Sequence, residues 1–238
     1  MSAFLYGVAL QWKLDIRSKS LLITCYVVPL LFFAVMGGIF TSINPAAKDT
    51  LIQSMTVLGI SMGALIGLPP SLVEIYASDI KKVYKANGVP LYLGLVSMSL
   101  SAFLHLLLMS AIICLIAPIA FGATPPAHLP LYFGALSIFV AVSLSIGSVL
   151  GLWMKSQARL TMISQVIFLP SIMLSGIMFP VDLLPGVFKI AGKMFPASWG
   201  YQLLQSDGFS FGSLLPLLAI FAAAAILCGF LLKRLQSE

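Results

Sequence analysis

The chain has 238 residues, 60% of them hydrophobic and only 8% charged, and its mean hydropathy is +1.08. Soluble domains carry roughly a quarter of their residues as charges, and disordered chains combine low hydrophobicity with high charge, so both classes are excluded. A helix needs about 20 apolar residues to cross a bilayer, so this length accommodates roughly six to eight crossings and no soluble catalytic domain besides. A net charge of +6 on such a chain fits basic loops at a membrane surface better than a nucleic-acid partner.

Taken in chain order, the first element is amphipathic. Leu5, Val8, Trp12 and Ile16 recur at helical spacing, with Gln11, Lys13 and Arg17 elsewhere on the wheel. This predicts a helix over 1–20 lying in the membrane interface, in contact with lipid. Six apolar stretches follow: Leu21–Phe40, Ser54–Leu72, Leu91–Ile119, Leu131–Met154, Leu160–Phe179 and Leu214–Leu232. All twenty Lys, Arg, Asp and Glu residues fall outside them, as expected when a charge at the bilayer centre costs about 2.5–3.5 kcal/mol on insertion scales. Leu91–Ile119 is longer than a bilayer requires and carries Pro118; Pro170 predicts a bend in the fifth stretch.

The expected fold is an all-α membrane protein. A single domain spans 1–238: interfacial helix 1–20, five crossings within 21–179, an outer segment 180–213, then the sixth crossing and tail 214–238. Assigning loops to alternate sides puts ten basic residues on one side (Lys13, Arg17, Lys19, Lys81, Lys82, Lys85, Lys155, Arg159, Lys233 and Arg234) and three on the other (Lys48, Lys189 and Lys193). The positive-inside rule then places both termini in the cytoplasm.

Small residues repeat every four positions in two stretches, as Gly59, Gly63 and Gly67 and as Ser143, Gly147 and Gly151. That spacing lines one helix face and lets backbones approach closely, either within the chain or against a subunit. His105 shares a helix face with Ser97 and Ser101. It reads either as a neutral group bonded to a neighbouring helix or as part of a pathway. Cys25, Cys114 and Cys228 are too far apart, and too isolated from His, to suggest a metal or redox pair, so no metal site is expected.

Absences narrow the function. No apolar stretch contains Asp, Glu or Arg, which ion-coupled carriers need in order to sense protonation at depth. There is no nucleophile elbow and no phosphate-binding G-x-x-x-x-G-K-[ST] loop. No catalytic residue is assigned, and energy for uphill transport would have to enter from another polypeptide through a cytoplasmic loop. The longest such loop, Val73–Pro90, holds Glu74, Asp79, Lys81, Lys82 and Lys85, with Ile80, Val83 and Tyr84 at roughly helical spacing before Asn87-Gly88. A short docking helix and a solvated basic loop attracted to anionic lipid both fit this composition.

Two segments resemble the permease subunits of type-2 ABC exporters. Glu74 through Pro90, with Ser78-Asp79-Ile80-Lys81-Lys82 and Lys85-Ala86-Asn87-Gly88-Val89-Pro90, is similar to that family's "E-x-x-G-T-L-K-x-L-R-A-x-P" loop, with Ser78-Asp79 replacing Gly-Thr. Leu174-Ser175-Gly176-Ile177-Met178-Phe179-Pro180, then Leu183-Leu184-Pro185 and Phe195-Pro196, resembles its "LSGxxFP…LP…NP" passage, with Phe195 in place of Asn. The resemblance implies docking of separate cytoplasmic ATPase subunits on Glu74 and Asp79–Lys85, with ATP and Mg on those partners and no cofactor here. It implies pairing with a second copy or a related permease, in a bacterial plasma membrane. It also implies short re-entrant helices in 180–213, where Pro180, Pro185, Pro196 and Trp199 would help close an outer gate. The competing classes are a non-transport immunity or sensor subunit and a facilitative carrier without an ATPase.

Overall fold

The computed structural model describes residues 10–16, 19–206 and 210–237, and every regular element among them is helical. Helix α1 covers 10–16; Leu5, Val8 and Arg17 of the expected interfacial helix lie outside the described residues. Helix α2 (Lys19–Leu22) runs through a π turn (Ile23–Val27) into α3 (Val28–Ile43), and a 3-10 turn (Pro45–Asp49) leads to α4 (Leu51–Met62). A second π turn (Gly63–Gly67) joins α4 to α5 (Leu68–Tyr76). Each π turn lies just before a proline, Pro29 in one case and Pro69 in the other. Proline has no N–H and crowds the carbonyl four residues back, and the wider turn absorbs both effects without ending the helix.

The short α6 (Ile80–Ala86) precedes α7 (Leu91–Phe121), α8 (Leu129–Trp153) and α9 (Gln157–Met173). After a 3-10 turn (Val181–Leu183) come α10 (Gly186–Gly192), α11 (Pro196–Gln205) and α12 (Phe211–Ser237). Five continuous helical stretches are long and apolar enough to cross a membrane: Ile23–Ile43, Leu51–Tyr76, α7, α8 and α12. The fifth expected crossing is shorter than its apolar run. Helix α9 has 17 residues, about 25 Å at 1.5 Å per residue, against a hydrocarbon core of about 30 Å. Pro170 sits in its last turn, and Gly176 takes φ of +90°, which a side chain would resist; Leu174–Phe179 therefore turns instead of extending the helix.

The bundle has two distinct ends. At one, the Lys85 ammonium donates to the Gln236 carbonyl at 2.9 Å, and Trp153, Lys155, Arg159 and Arg234 line a common groove. At the other, Asn44, Thr50, Ser175, Gly176 and Gln202 line one cavity. Helix α9 passes between them: the Gln157 side-chain amide donates to the Pro70 carbonyl at 2.8 Å near the first end, while Ser175 beyond its last turn lies at the second.

The core sits where α4, α5, α7, α8 and α11 meet, around Phe139, Ile60, Leu106, Met109 and Leu72. Buried hydroxyls cross-link these helices. Ser54 donates to the Tyr201 hydroxyl and Tyr132 to Thr56 Oγ1, both at 3.2 Å. Both small-residue stripes face the chain's own helices. A Cβ at Gly59 or Gly63 would meet the tips of Met109 or Leu106, and one at Gly67 would meet Cys25 and Thr24. At Gly147 it would fall 2.0 Å from the Ala64 carbonyl oxygen, and at Gly151 2.7 Å from Leu72 Cβ. Helix α8 thus rests directly on the backbone of the α4–α5 segment.

Candidate docking hairpin and buried polar cluster

The 77–90 loop is a built structure. Its neck is pinned where the last residue of α5 meets the first of α7: the Tyr76 hydroxyl donates to the Leu91 carbonyl at 2.5 Å. Ser78 Oγ donates back to the Glu74 carbonyl at 2.5 Å and accepts from the Ile80 N–H at 3.2 Å, so Ser78 organises the entry to α6. The exit is a Schellman-type cap. The Val89 N–H reaches the Tyr84 carbonyl at 2.9 Å and the Gly88 N–H the Lys85 carbonyl at 3.1 Å, with Gly88 at φ of +64°. Sequence reasoning placed the stop at Asn87-Gly88 for this reason.

Helix α6 has two faces. Ile80 and Val83 are 40% and 57% exposed, as are Glu74, Asp79, Lys82 and Lys85, while Lys81 is half-buried. Tyr84 points the other way. It is half-buried and packs on the core, its ring close to Gly94 of α7. Of the three apolar residues expected to dock, two are outward and one holds the helix to the bundle. Lys82 and Asp79 form an exposed ion pair at 2.7 Å; the ammonium beside it holds the Asp79 carboxyl below its ordinary range, and the carboxylate raises Lys82 in turn.

A second constellation joins α1 to α7. Asp15 is buried, and its carboxylate accepts hydrogen bonds from Ser101 Oγ and, at 2.7 Å, from the Gln11 side-chain amide. One turn further along α7, His105 is also buried. Trp12 stacks on its ring at 4.0 Å with 5° between the planes, and its Nδ1 shares a 2.7 Å hydrogen bond with the Tyr26 hydroxyl. His105 Nε2 has no partner among the described residues. Ser101 and His105 thus come together, whereas Ser97, half-buried, bonds to the Gly94 carbonyl of its own helix. The two π turns meet beside this cluster, with the Cys25 sulfur against Gly63 and Gly67.

This arrangement revises the sequence reading of α1. Trp12, expected on a lipid-facing side, packs on α7 instead, while Ile16 is 46% exposed and Asp15 takes the inward position. An acid outside every apolar stretch is folded against one. The periodicity carried no signal of this, since the α7 partner of Asp15, Ser101, lies 86 residues away. Ser101 is ten residues into α7, about 15 Å along the helix from Leu91, where the α6 hairpin joins.

At the opposite end, Pro196 starts α11, where its missing N–H costs nothing. The Trp199 indole donates to the Lys193 carbonyl at 2.7 Å, and Ser198 Oγ to the Gly192 carbonyl at 2.6 Å, folding α10 and α11 into a hairpin. Pro180 and Pro185 are exposed, flanking the 3-10 turn. Helix α11 is buried on one face, while Val187, Phe188 and Ile190 of α10 are at least 50% exposed.

A helical bundle with five stretches long and apolar enough to cross a membrane defines the class as a multi-pass membrane protein. The family model described as ABC-2 type transporter matches residues 3–209. The chain belongs to the ABC-2 type transporter family, a family of membrane transport subunits. No curated protein matches it.

Proposed function

We propose that the chain is the permease subunit of an ATP-driven exporter in a bacterial plasma membrane. The observation that carries this is the capped α6 hairpin, with two apolar side chains uncovered on its outer face, in a chain of this family. Separate cytoplasmic ATPases, which bind ATP and Mg, dock on Ile80 and Val83, with Asp79, Lys81, Lys82 and Lys85 on the rim. Helix α9 serves as the fifth of six crossings, so both termini face the cytoplasm beside the docking end. Two copies, or one copy and a related permease, enclose the pathway between them. Movement of the hairpin is transmitted to α5 and α7 through Tyr76 and Tyr84, and from α7 to α1 through Asp15, Ser101 and His105. The bundle then alternates between two packings with different access to substrate. At the outer end, the α10–α11 hairpin dips into the leaflet and closes the pathway.

The test replaces 78–85 with a Gly/Ser segment and measures both copurification of the ATPase and substrate-stimulated ATP hydrolysis. The expected result is loss of both with normal membrane insertion. Retention of both would remove the hairpin as the coupling element. Downhill transport in liposomes by the chain alone, without ATP, would favour a facilitative carrier.

A further inference from the structure

Between the start of α9 and the end of α12 lies a groove of about 450 Å³, closed on its third side by the 154–156 turn. Three cations line it, each from a different element: Lys155 from the turn, Arg159 from the first turn of α9 and Arg234 from the last turn of α12. All three are exposed, so a ligand in the groove can reach each charge. No carboxylate lines it among the described residues. The adjoining groove under α6 differs, because there Asp79 stands among Lys81, Lys82 and Lys155 and pairs with Lys82.

This charge set suits a phosphate. Arginine presents paired N–H donors that match two phosphate oxygens, and lysine adds a point charge. The rest of the lining is largely apolar, chiefly Leu152, Ile163, Leu231 and Leu235, and it continues into the lipid-facing surface. One turn deeper, Val166 of α9 and Leu227 of α12 are exposed, and only 11% of the apolar window of α12 is buried. Trp153, 58% exposed at the rim, is a residue type that settles at headgroup level. A soluble anion would engage the cations and leave the apolar wall unused, whereas a phospholipid engages both. A zwitterionic headgroup would bring an ammonium into a groove with no acid to meet it.

We propose that this groove binds one anionic phospholipid, its phosphate held by Lys155, Arg159 and Arg234 and its acyl chains running along α9 and α12. Basic pockets between membrane helices hold headgroups of this kind. The groove uses neither Ile80 nor Val83, so the site stands or falls separately from the exporter reading.

The experiment adds phosphatidylglycerol or phosphatidylcholine to the purified full chain in detergent, with any subunits that copurify, and counts bound lipid by native mass spectrometry. One phosphatidylglycerol should bind saturably and about tenfold or more tighter than phosphatidylcholine. Arg159→Gln and Arg234→Gln, checked for unchanged melting, should each weaken that adduct about tenfold. Lys233→Gln removes the same charge from a neighbouring position outside the groove and should leave the adduct unchanged, which separates a site from the general attraction of a basic surface to anionic lipid. Glycerol phosphate, the headgroup without its chains, should not displace the lipid. Equal binding of phosphatidylcholine, an equal loss in Lys233→Gln, or displacement by glycerol phosphate would overturn the proposal. Parent-like lipid binding by the folded arginine variants would overturn it too, and loss of ATPase copurification alongside would assign these cations to the protein partner.

Discussion

The Leu51–Tyr76 stretch and α12 are both apolar enough to cross a membrane, yet they occupy opposite places. The first has a mean hydropathy of 1.8 with 83% of its apolar window buried; the second is more apolar, at 2.6, with 11% buried. In water the order would be reversed, because apolarity drives burial. In lipid, apolar side chains lose nothing by facing outward, and the interior goes to residues that let backbones approach or that hydrogen-bond across helices. The buried segment carries Gly59, Gly63, Gly67, Ser54 and Thr56, whereas α12 exposes Leu215, Ile226 and Phe230.

The sharpest way to break this comparison is to enlarge a side chain where two backbones touch. Gly147→Leu should cost the most, about 3 kcal/mol or more, because its Cβ would meet the Ala64 carbonyl and a helix must move. Gly63→Leu meets the flexible end of Leu106 instead and should cost less. Thermal unfolding in detergent and yield of membrane-inserted protein measure both. If Gly63→Leu were the worse variant, the α8 seam would not be the tight one.

Ser101→Ala tests the second kind of interior contact. It removes a donor from the buried Asp15 carboxylate, at a cost of about 1–3 kcal/mol, and should release α1. Tryptic cleavage after the exposed Lys13 should then quicken. Unchanged cleavage would mean that the Trp12 stack on His105 holds α1 alone.

The two faces of α6 repeat the contrast on a smaller scale. Tyr84→Ala should lower both the melting temperature, by roughly the 1–2 kcal/mol of a half-buried aromatic contact, and ATPase copurification. Val83→Asp should lower copurification and leave melting unchanged, since Val83 is exposed. A Val83→Asp variant that copurifies normally would move the docking surface off this face.

How much of this was legible follows from where the physical cost lies. The apolar stretches were plain because charge is expensive at depth, and they differ from the helices mainly at their ends. The end of α6 was legible because Asn87-Gly88 marks a cap that local geometry alone determines, whereas composition left helix and solvated loop both open. The expected extension of the fifth crossing to Phe179 failed because Pro170 and Gly176 act together, one weakening the last turn and the other leaving the helical region. Asp15 was illegible, since its burial depends on partners distant in sequence. The stripes announced close packing, but not which was closer; that depends on whether the facing atom is a backbone oxygen or a side-chain tip.

On the lipid-facing side the expected effect is small. Ile226 is 73% exposed on α12, so Ile226→Ala should change stability by no more than about 0.5 kcal/mol. A larger loss, dependent on protein concentration, would show that a second copy covers this face.

The smallest effect belongs to the Asp79–Lys82 pair. Because Lys82 holds the Asp79 carboxyl below its ordinary range, whatever the pair contributes is complete above the unfolded carboxylate value, about 4. It is lost only as pH falls through the lower folded value. Lys82 is raised, so on the alkaline side the contribution is lost as pH rises through the folded lysine value. Melting and docking should therefore show no step from this pair between about pH 5 and 9. Both groups are solvated, so Lys82→Ala should leave melting unchanged and slow ATPase association chiefly at low salt, as rim charges do. Association kinetics at two ionic strengths measure this. A salt-independent loss of docking in Lys82→Ala would place that ammonium inside the interface and not on its rim.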